Sequence, residues 1–331
     1  MSKLTTLLLE WYKTNGRKLP WRVKGGAHFD PYIVLVSEVM LQQTTVKTVI
    51  PYFEKFIKRF PTVQDLAKAS LEEVYSFWQG LGYYTRAKSL HQTAQLIVEK
   101  FGGEFPQNKK DILKLKGIGP YTAASFLALA FNVPETVVDG NVMRVICRLY
   151  HLTEPLDRIQ DIIRKKAKML TSKTKAADYA SAIMDLGAMI CTPKKPQCFR
   201  CPWQAYCRSR EDAFVEDIPQ RKKIKQPEKQ AYVYICCDNK EKIFIRKKTE
   251  KGLLSGLYEF PWSENKLPDA VECGVFVQHV FTHFKLKLSL CLLPYIACPN
   301  DGIFIKKKDF ARYATSTLMK KVFSKLNTLN L

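Results

Sequence analysis

The sequence predicts two domains of different class: a mostly α domain over residues 1–213 and an α+β domain over residues 231–331, joined by a connector at 214–230. Three observations carry this prediction. Apolar residues recur at helical spacing through the first two thirds of the chain, and β-rich runs with alternating or continuous apolar residues fill the last third. Between them, "EDIPQRKKIKQPEKQ" combines two prolines with many charges and little apolar content, the composition of an extended connector. At 331 residues and 46% hydrophobic content, the chain is long enough for two packed cores.

The elements follow in order. "LTTLLLEWY" spaces its apolar residues as an amphipathic helix; Glu10 and Lys13 come at once and no small-residue cleavage site follows, which argues against a secretory leader. "DPYIVLVSEVMLQQ" opens with Asp30-Pro31, an N-cap followed by a proline at the first helical position. Ser70, with Glu73 three residues on, caps "LEEVYSFWQGLG"; "AKSLHQTAQLIVEKF" and "YASAIMDLGAMI" continue the helical pattern. In the second domain "AYVYICC", "KIFIRKK" and "FKLKLSLCLL" are strand candidates separated by turn residues such as Asp238-Asn239, and "TSTLMKKVFSKL" is a closing helix. There are no internal repeats and no low-complexity segments.

Charge and cysteines narrow the partners. Lys and Arg number 53 against 31 Asp and Glu, a net charge of +22, and such a field attracts phosphate polyanions before any specific contact forms. Nucleic acid is the favoured partner, although charge alone also suits solubility or adsorption to anionic lipid. No apolar run approaches the roughly 18 residues of a membrane span, so a soluble protein with no membrane partner is expected. Ten cysteines without a secretory signal imply a reducing compartment and thiolates free to bind metal.

In "LKGIGPYTAASFLALAF", Gly117 and Gly119 precede a small-residue helix. Without Cβ atoms the turn can tighten and turn backbone N–H groups toward a phosphate oxygen, the pattern of a helix-hairpin-helix; alone, it would equally be an ordinary interhelical turn. Asp139 in "VVDGNVMRVICRL" stands where an N-cap belongs, and a carboxylate held by N–H donors stays ionised and can face a developing cation. Glu38 in "SEVMLQQTTV" is solvated if its helix face is exposed; placed among Val36, Val39, Met40 and Leu41 at the wall of a cleft, it has a raised pKa and can donate a proton near neutrality. Cys191, Cys198, Cys201 and Cys207 are separated by six, two and five residues, a set that suits structural zinc and a [4Fe–4S] cluster alike.

Together these pieces resemble the MutY family of adenine DNA glycosylases, in the iron–sulfur branch of the helix-hairpin-helix glycosylases. "LPW", "SEVMLQQT", "FPTVQDLA", "WQGLGYYTRAKSLH", "VVDGNV" and "MDLGAMICTPKKPQC" carry the likeness through residues 19–207, and "GLLSGLYEFP" and "FTHFKL" carry a weaker one beyond 230. The resemblance implies a mostly α helix-hairpin-helix glycosylase domain of two helical subdomains with DNA across the cleft, and an α+β Nudix-like domain that recognises 8-oxoguanine. It implies a [4Fe–4S] cluster on the four cysteines, structural rather than chemical, supporting a loop whose Lys194, Lys195 and Arg200 face phosphates along with Gly117 and Gly119.

The family reaction is hydrolysis of the N-glycosidic bond of adenine mispaired with 8-oxoguanine or guanine, after the base has been extruded from the duplex. By resemblance Glu38 is the catalytic acid and Asp139 stabilises the oxocarbenium-like sugar, with Tyr121 and Asn141 supporting the cation and the water. Trp21, Arg22 and Leu41 form the adenine pocket, Gln42 or Gln43 and Tyr83 fill or wedge the stack, and Phe281, Thr282 and His283 meet the damaged base. Without the family, Tyr83 would be an ordinary half-buried aromatic. Tyr121 occupies the position where endonuclease III-like relatives carry a Schiff-base lysine, and Met143 follows "DGNV" where some members have another lysine, so a monofunctional glycosylase is expected. The second domain lacks an acidic "REXXEE" box, which leaves recognition rather than diphosphate hydrolysis, and Thr282 stands where "FSHF" is usual. A monomer in the bacterial cytoplasm, associated with the nucleoid, completes the expectation. Its rivals are an endonuclease III-like enzyme acting on oxidised pyrimidines and a non-catalytic, zinc-stabilised DNA-binding protein.

Overall fold

The computed structural model describes residues 1–22, 29–220, 226–238, 241–250 and 252–329; residues 221–225 of the connector and Asn239 of the Asp238-Asn239 turn lie outside the described residues. Two compact units emerge, Met1–Lys68 with Ser89–Lys223, and Ala69–Lys88 with Ile224–Leu331.

The first unit is helical. It contains α1 (Lys3–Asn15), α2 (Pro31–Leu41), α3 (Val46–Arg59) and α4 (Val63–Lys68). After α5 (Leu71–Trp78) and the first residues of α6 (Tyr84–Phe101), which belong to the second unit, it resumes with the rest of α6. Then come α7 (Lys109–Ile112), α8 (Pro120–Phe131), α9 (Gly140–Tyr150), α10 (Leu156–Leu170) and α11 (Ala176–Met189). Side chains fix where these helices begin. The Asp30 carboxylate accepts from Tyr32 N ahead of Pro31, and the Ser2 and Thr45 hydroxyls accept from the backbone of Thr5 and Thr48. Such caps contribute about 1 kcal/mol each.

Two packing groups result, as expected of two helical subdomains. Leu8, Val145, Ile146, Ile163 and Ile183 share a core built by α1, α9, α10 and α11, while α2 packs on α3 and α8 and buries every residue from Val34 to Met40. Helix α8 also contacts α11. Each of the helical segments marked in the sequence forms a helix.

The second unit is mixed. Its strands are β1 (Glu228–Ile235), β2 (Cys237–Asp238), β3 (Lys242–Lys247), β4 (Tyr258–Glu259), β5 (Trp262–Ser263), β6 (Val271–Val280), β7 (Lys285–Leu292) and β8 (Gly302–Lys306), and α12 (Thr317–Thr328) follows. One sheet has the order β5-β1-β7-β6 with β1 and β7 parallel; in the other, β3 pairs antiparallel with β2, β4 and β8. Val233, Ile245, Leu288 and Leu290 meet Leu318 and Val322 of α12 in the core, where Phe310 stacks between Phe260 and Phe323 at 5.5 and 4.2 Å. Strand β1 begins at Glu228, inside the stretch whose composition suggested a connector.

Residues 69–88 join this unit through long-range hydrogen bonds. Gln79 Nε2 donates to Tyr313 O at 3.1 Å and Tyr84 OH to Thr315 O at 3.0 Å. Gly256, at φ +84°, brings its backbone so close to Tyr75 that a Cβ there would lie 3.1 Å from the ring.

Candidate active site

Trp21, Arg22, Glu38 and Leu41, four residues singled out in the sequence, line one pocket of the helical unit, together with Val46 of α3 and Met184 of α11. The side chain of Glu38 is set by α2: an apolar helix buried on nearly all sides leaves it 8% exposed. Burial pushes its pKa up to about 7, from a usual 4.5; the Asp139 carboxylate opposes ionisation further, and the Ser125 hydroxyl and Arg22 favour it. At neutrality such a carboxyl is divided between its protonated and ionised forms, the condition a general acid requires. The solvated alternative for Glu38 is thereby removed.

Tyr121 lies in the first turn of α8, its OH 3.9 Å from Met184 Sδ. Burial, then the charges of Glu38 and Asp139, raises its pKa, so it stays a neutral phenol. Asp139 is the N-cap of α9, as its sequence position suggested. Its Oδ1 accepts from Val142 N at 2.7 Å and its Oδ2 from Asn141 Nδ2 at 2.9 Å. The carboxylate is thus held by one backbone and one side-chain donor, and acts electrostatically on both Glu38 and Tyr121.

Four supporting residues, Asp185, Arg17, Arg144 and Gly187, carried no role in the sequence reading. Asp185 on α11 is fully buried and takes both guanidiniums that flank the pocket. Arg22 Nη1 and Nη2 donate to it at 2.7 and 3.0 Å, and Arg17 Nε and backbone N at 2.7 and 2.8 Å. Arg144 Nη2 donates to Asn141 Oδ1 at 3.0 Å and its Nε to Cys191 O at 2.8 Å, tying the Asp139–Asn141 pair to the start of the cysteine loop. Gly187 permits α11 to approach α9: a Cβ there would stand 2.8 Å from Asn141 Cβ. Asp185 and Gly187 both fall within "MDLGAMI", but their partners are distant in sequence.

Gln42 caps the end of α2 and its Nε2 donates to Thr122 Oγ1 at 3.2 Å, while Gln43 adopts φ +55°. Gly117, at φ +74°, sits against Ser89 so that a Cβ would be 2.7 Å from that side chain, and Gly119 starts α8 with no side-chain cap. The N–H groups of this helix start are therefore available to an anion.

In the second unit the structure joins two residues 199 apart in sequence. Tyr83, strained at φ +50° and 44% exposed, has its OH 2.9 Å from Thr282 Oγ1. Thr282 belongs to the β6–β7 turn, where Phe281 N donates to Phe284 O at 2.9 Å and the Phe281 ring rests between His279 and Phe284. Thr282 and His283 are exposed on this turn.

Cys191, Cys198, Cys201 and Cys207 line one cavity and none is in a disulfide. The loop is pinned from behind by Arg148, fully buried on α9, whose Nη1 donates to Thr192 O at 2.6 Å and to Cys191 Sγ at 3.6 Å, and whose Nη2 donates to Pro193 O at 3.0 Å. Burial raises the pKa of Cys191, Cys207 and especially Cys201, which is pushed up to about 12. Four unpaired thiols gathered round a cavity beside a buried guanidinium, three of them, Cys191, Cys201 and Cys207, resisting ionisation when bare, fit a metal group that ionises and ligates them. Lys194, Lys195 and Arg200 project from this loop and are exposed; Lys195 holds φ +48° with its backbone N donating to Glu216 Oε1 at 2.6 Å.

Among the described residues no helix is long and apolar enough to cross a membrane. Residues 36–173 match the HhH-GPD superfamily of base excision DNA repair proteins and residues 231–325 the NUDIX domain, in line with the helix-hairpin-helix and Nudix-like expectations. The chain is 38% identical to the adenine DNA glycosylase of Buchnera aphidicola subsp. Baizongia pistaciae, over 77% of this chain and 72% of that one. It is 33% identical to the adenine DNA glycosylase of Mus musculus, over 96% and 76%. Among solved structures, a thermostable thymine-DNA glycosylase superposes with a TM-score of 0.55 at 31% identity, covering 62% of this chain and 94% of that one. The chain thus belongs to the adenine DNA glycosylase family, hydrolases of base excision DNA repair.

Proposed function

We propose that this enzyme excises adenine mispaired with 8-oxoguanine or guanine in duplex DNA, acting as a monofunctional glycosylase on an extruded base. The single observation that carries the reading is the buried Glu38, with a pKa near 7, in a pocket lined by Trp21, Arg22 and Leu41 and within electrostatic reach of Asp139 and Tyr121. Glu38 donates its proton to the departing adenine, so that a neutral base leaves. Asp139, kept oriented by Val142 N and Asn141 Nδ2, faces the positive charge that develops on the sugar, and Asn141 helps to orient the attacking water. Tyr121 supports that cation and offers no amine, which leaves no nucleophile for a Schiff base at its position and favours an intact abasic strand.

Gln42 or Gln43 and Tyr83 fill or wedge the stack, and within the second unit the Tyr83–Thr282 hydrogen bond supports a joint role for Tyr83 and the Phe281–Thr282–His283 turn, which meets the 8-oxoguanine on the opposite strand. Gly117, Gly119, Lys194, Lys195 and Arg200 contact phosphates. Cys191, Cys198, Cys201 and Cys207 hold a [4Fe–4S] cluster, whose contribution is to crosslink the loop rather than to break bonds. In this reading residues 1–213 form the glycosylase domain, 214–230 the connector and 231–331 the recognition domain of a monomeric enzyme of the bacterial cytoplasm.

Single-turnover excision on duplexes carrying A opposite 8-oxoguanine, A opposite G, and thymine glycol tests substrate and chemistry together. Adenine release from the first two, with strand breaks appearing only after alkali, is the expected result. Breaks without alkali, or preferential attack on thymine glycol, would assign the enzyme to endonuclease III-like chemistry. Iron and sulfide rather than zinc in the purified protein are expected from the cysteine set. Thr282→Ser is expected to alter the preference for 8-oxoguanine over guanine a few-fold, on the scale of one modified hydrogen-bond contact; an unchanged preference removes Thr282 from the base-reading surface.

A further inference from the structure

Ser125 lies in the middle of α8, completely buried, and its hydroxyl oxygen has no well-formed hydrogen bond. Buried hydroxyls are nearly always partnered, and an orphan inside an alanine-rich helix flanked by Ala123, Ala124 and Ala128 is a costly choice where another alanine would fit. Its surroundings explain the choice. Ser125 follows Tyr121 by four residues and so shares its helix face, and α2, which carries Glu38, packs directly on α8. The hydroxyl is close enough to both side chains to favour their ionised forms. The charged groups around Glu38 are otherwise engaged: Arg22 and Arg17 are committed to Asp185 on α11, and Asp139 at the start of α9 repels a second negative charge. Among the described residues, Tyr121, held neutral, is the remaining titratable neighbour.

Building on the acid role assigned to Glu38 above, we propose that Ser125 is a positioning residue for the excision reaction, its hydroxyl reserved as the hydrogen-bond donor to the Glu38 carboxylate that appears when the proton passes to the departing adenine. While Glu38 is protonated its own O–H points to the base and Ser125 is left without a partner. After transfer the proton resides on the base, the carboxylate has gained an acceptor lone pair, and the serine O–H turns to it without giving up its own proton. The arrangement holds the acid in place through the step and makes its conjugate base easier to form.

The test uses the full-length protein with Ser125→Ala and Ser125→Thr, and two readouts. The first is the titration of the Glu38 carboxyl in the DNA-free protein, read as the infrared carboxyl band lost in Glu38→Gln. The second is single-turnover adenine release as a function of pH. Loss of a donor to the carboxylate raises the midpoint, so Ser125→Ala is expected to titrate about half a unit to one unit higher. Because the protonated acid is the active form, the alkaline fall in excision should move up by the same amount while the plateau rate drops several-fold. Ser125→Thr, which keeps the hydroxyl, should titrate as the parent does. An alanine midpoint equal to the parent's, even with a slower plateau, or a threonine midpoint displaced as far as alanine's, would overturn the proposal. The titration needs no substrate, so a parent protein that fails to release adenine would count against the functional reading alone.

Discussion

Two buried acids in the helical unit meet opposite electrostatic treatment. Asp185 on α11 receives four short hydrogen bonds from Arg17 and Arg22, so its charge is fully compensated. Glu38 on α2 faces apolar walls, a neutral phenol and a second carboxylate, and the cation that reaches it among the described residues, Arg22, is already committed to Asp185. The difference teaches how one pocket separates structure from chemistry. By holding both arginines, Asp185 organises the pocket wall and at the same time denies Glu38 the partner that would keep it ionised. A carboxyl left in this state gives up its proton near pH 7, where an ordinary glutamic acid has already lost it.

The strongest way to break this contrast is to neutralise the uncompensated acid. Glu38→Gln is expected to lower single-turnover adenine release by about 10²- to 10⁴-fold while equilibrium binding to the duplex stays close to that of the parent. Rapid excision by that variant would show that the raised proton affinity of Glu38 is incidental. Neutralising the compensated acid should act on folding instead. Asp185→Asn leaves two guanidiniums crowded in a largely buried site, and denaturant unfolding should register a loss of about 3–5 kcal/mol. A loss under about 1 kcal/mol would mean that the two arginines find other acceptors.

A pH series sharpens the comparison. The folded-state pKa of Glu38, about 7, lies above its ordinary 4.5, so the folded state binds this proton more tightly than the unfolded chain does. The associated stability is present below 4.5 and is lost as pH rises through 7. Glu38→Gln does not titrate, so at pH 8 it should be more stable than the parent by up to about 3 kcal/mol, an advantage that vanishes toward pH 4. Equal stability of the two proteins at every pH would contradict the burial argument. The smallest effect is expected from Arg22→Lys, which keeps the charge and gives up the bidentate geometry while Arg17 still holds Asp185. A loss of about 1 kcal/mol, measured as a shift in unfolding midpoint, fits that picture.

The sequence conveyed the acids proposed to do the chemistry better than the residues that organise them. Glu38 and Asp139 sit in local patterns, a carboxylate inside an apolar helix and an aspartate at a helix start, whose physical consequences can be argued one helix at a time, whereas Tyr121 and Asn141 entered through the family resemblance alone. Asp185 stood in a quoted motif without a role because its meaning depends on Arg17 and Arg22, more than 160 residues away. Arg148 and Arg144 escaped for the same reason: a buried arginine on an amphipathic helix looks solvated until the loop it pins has folded against it. The secondary structure was legible where periodicity was strong, as in α1, α2, α11, β1 and β7. Nothing in the composition of residues 69–88 sets them apart from the helices on either side, and their place with the C-terminal unit rests on tertiary bonds such as Gln79 to Tyr313. Tyr83 and Thr282 were each marked separately, and only the fold joins them.

The contrast between the two acids is tested most directly by the pH dependence of single-turnover adenine release from a duplex carrying adenine opposite 8-oxoguanine. If Glu38 is the proton donor, the rate should hold steady on the acid side and fall about tenfold per pH unit above a midpoint near 7, with Glu38→Gln slow throughout. A parent rate that stays level from pH 6 to about pH 9, where a carboxyl of this kind has surrendered its proton, would contradict the assignment.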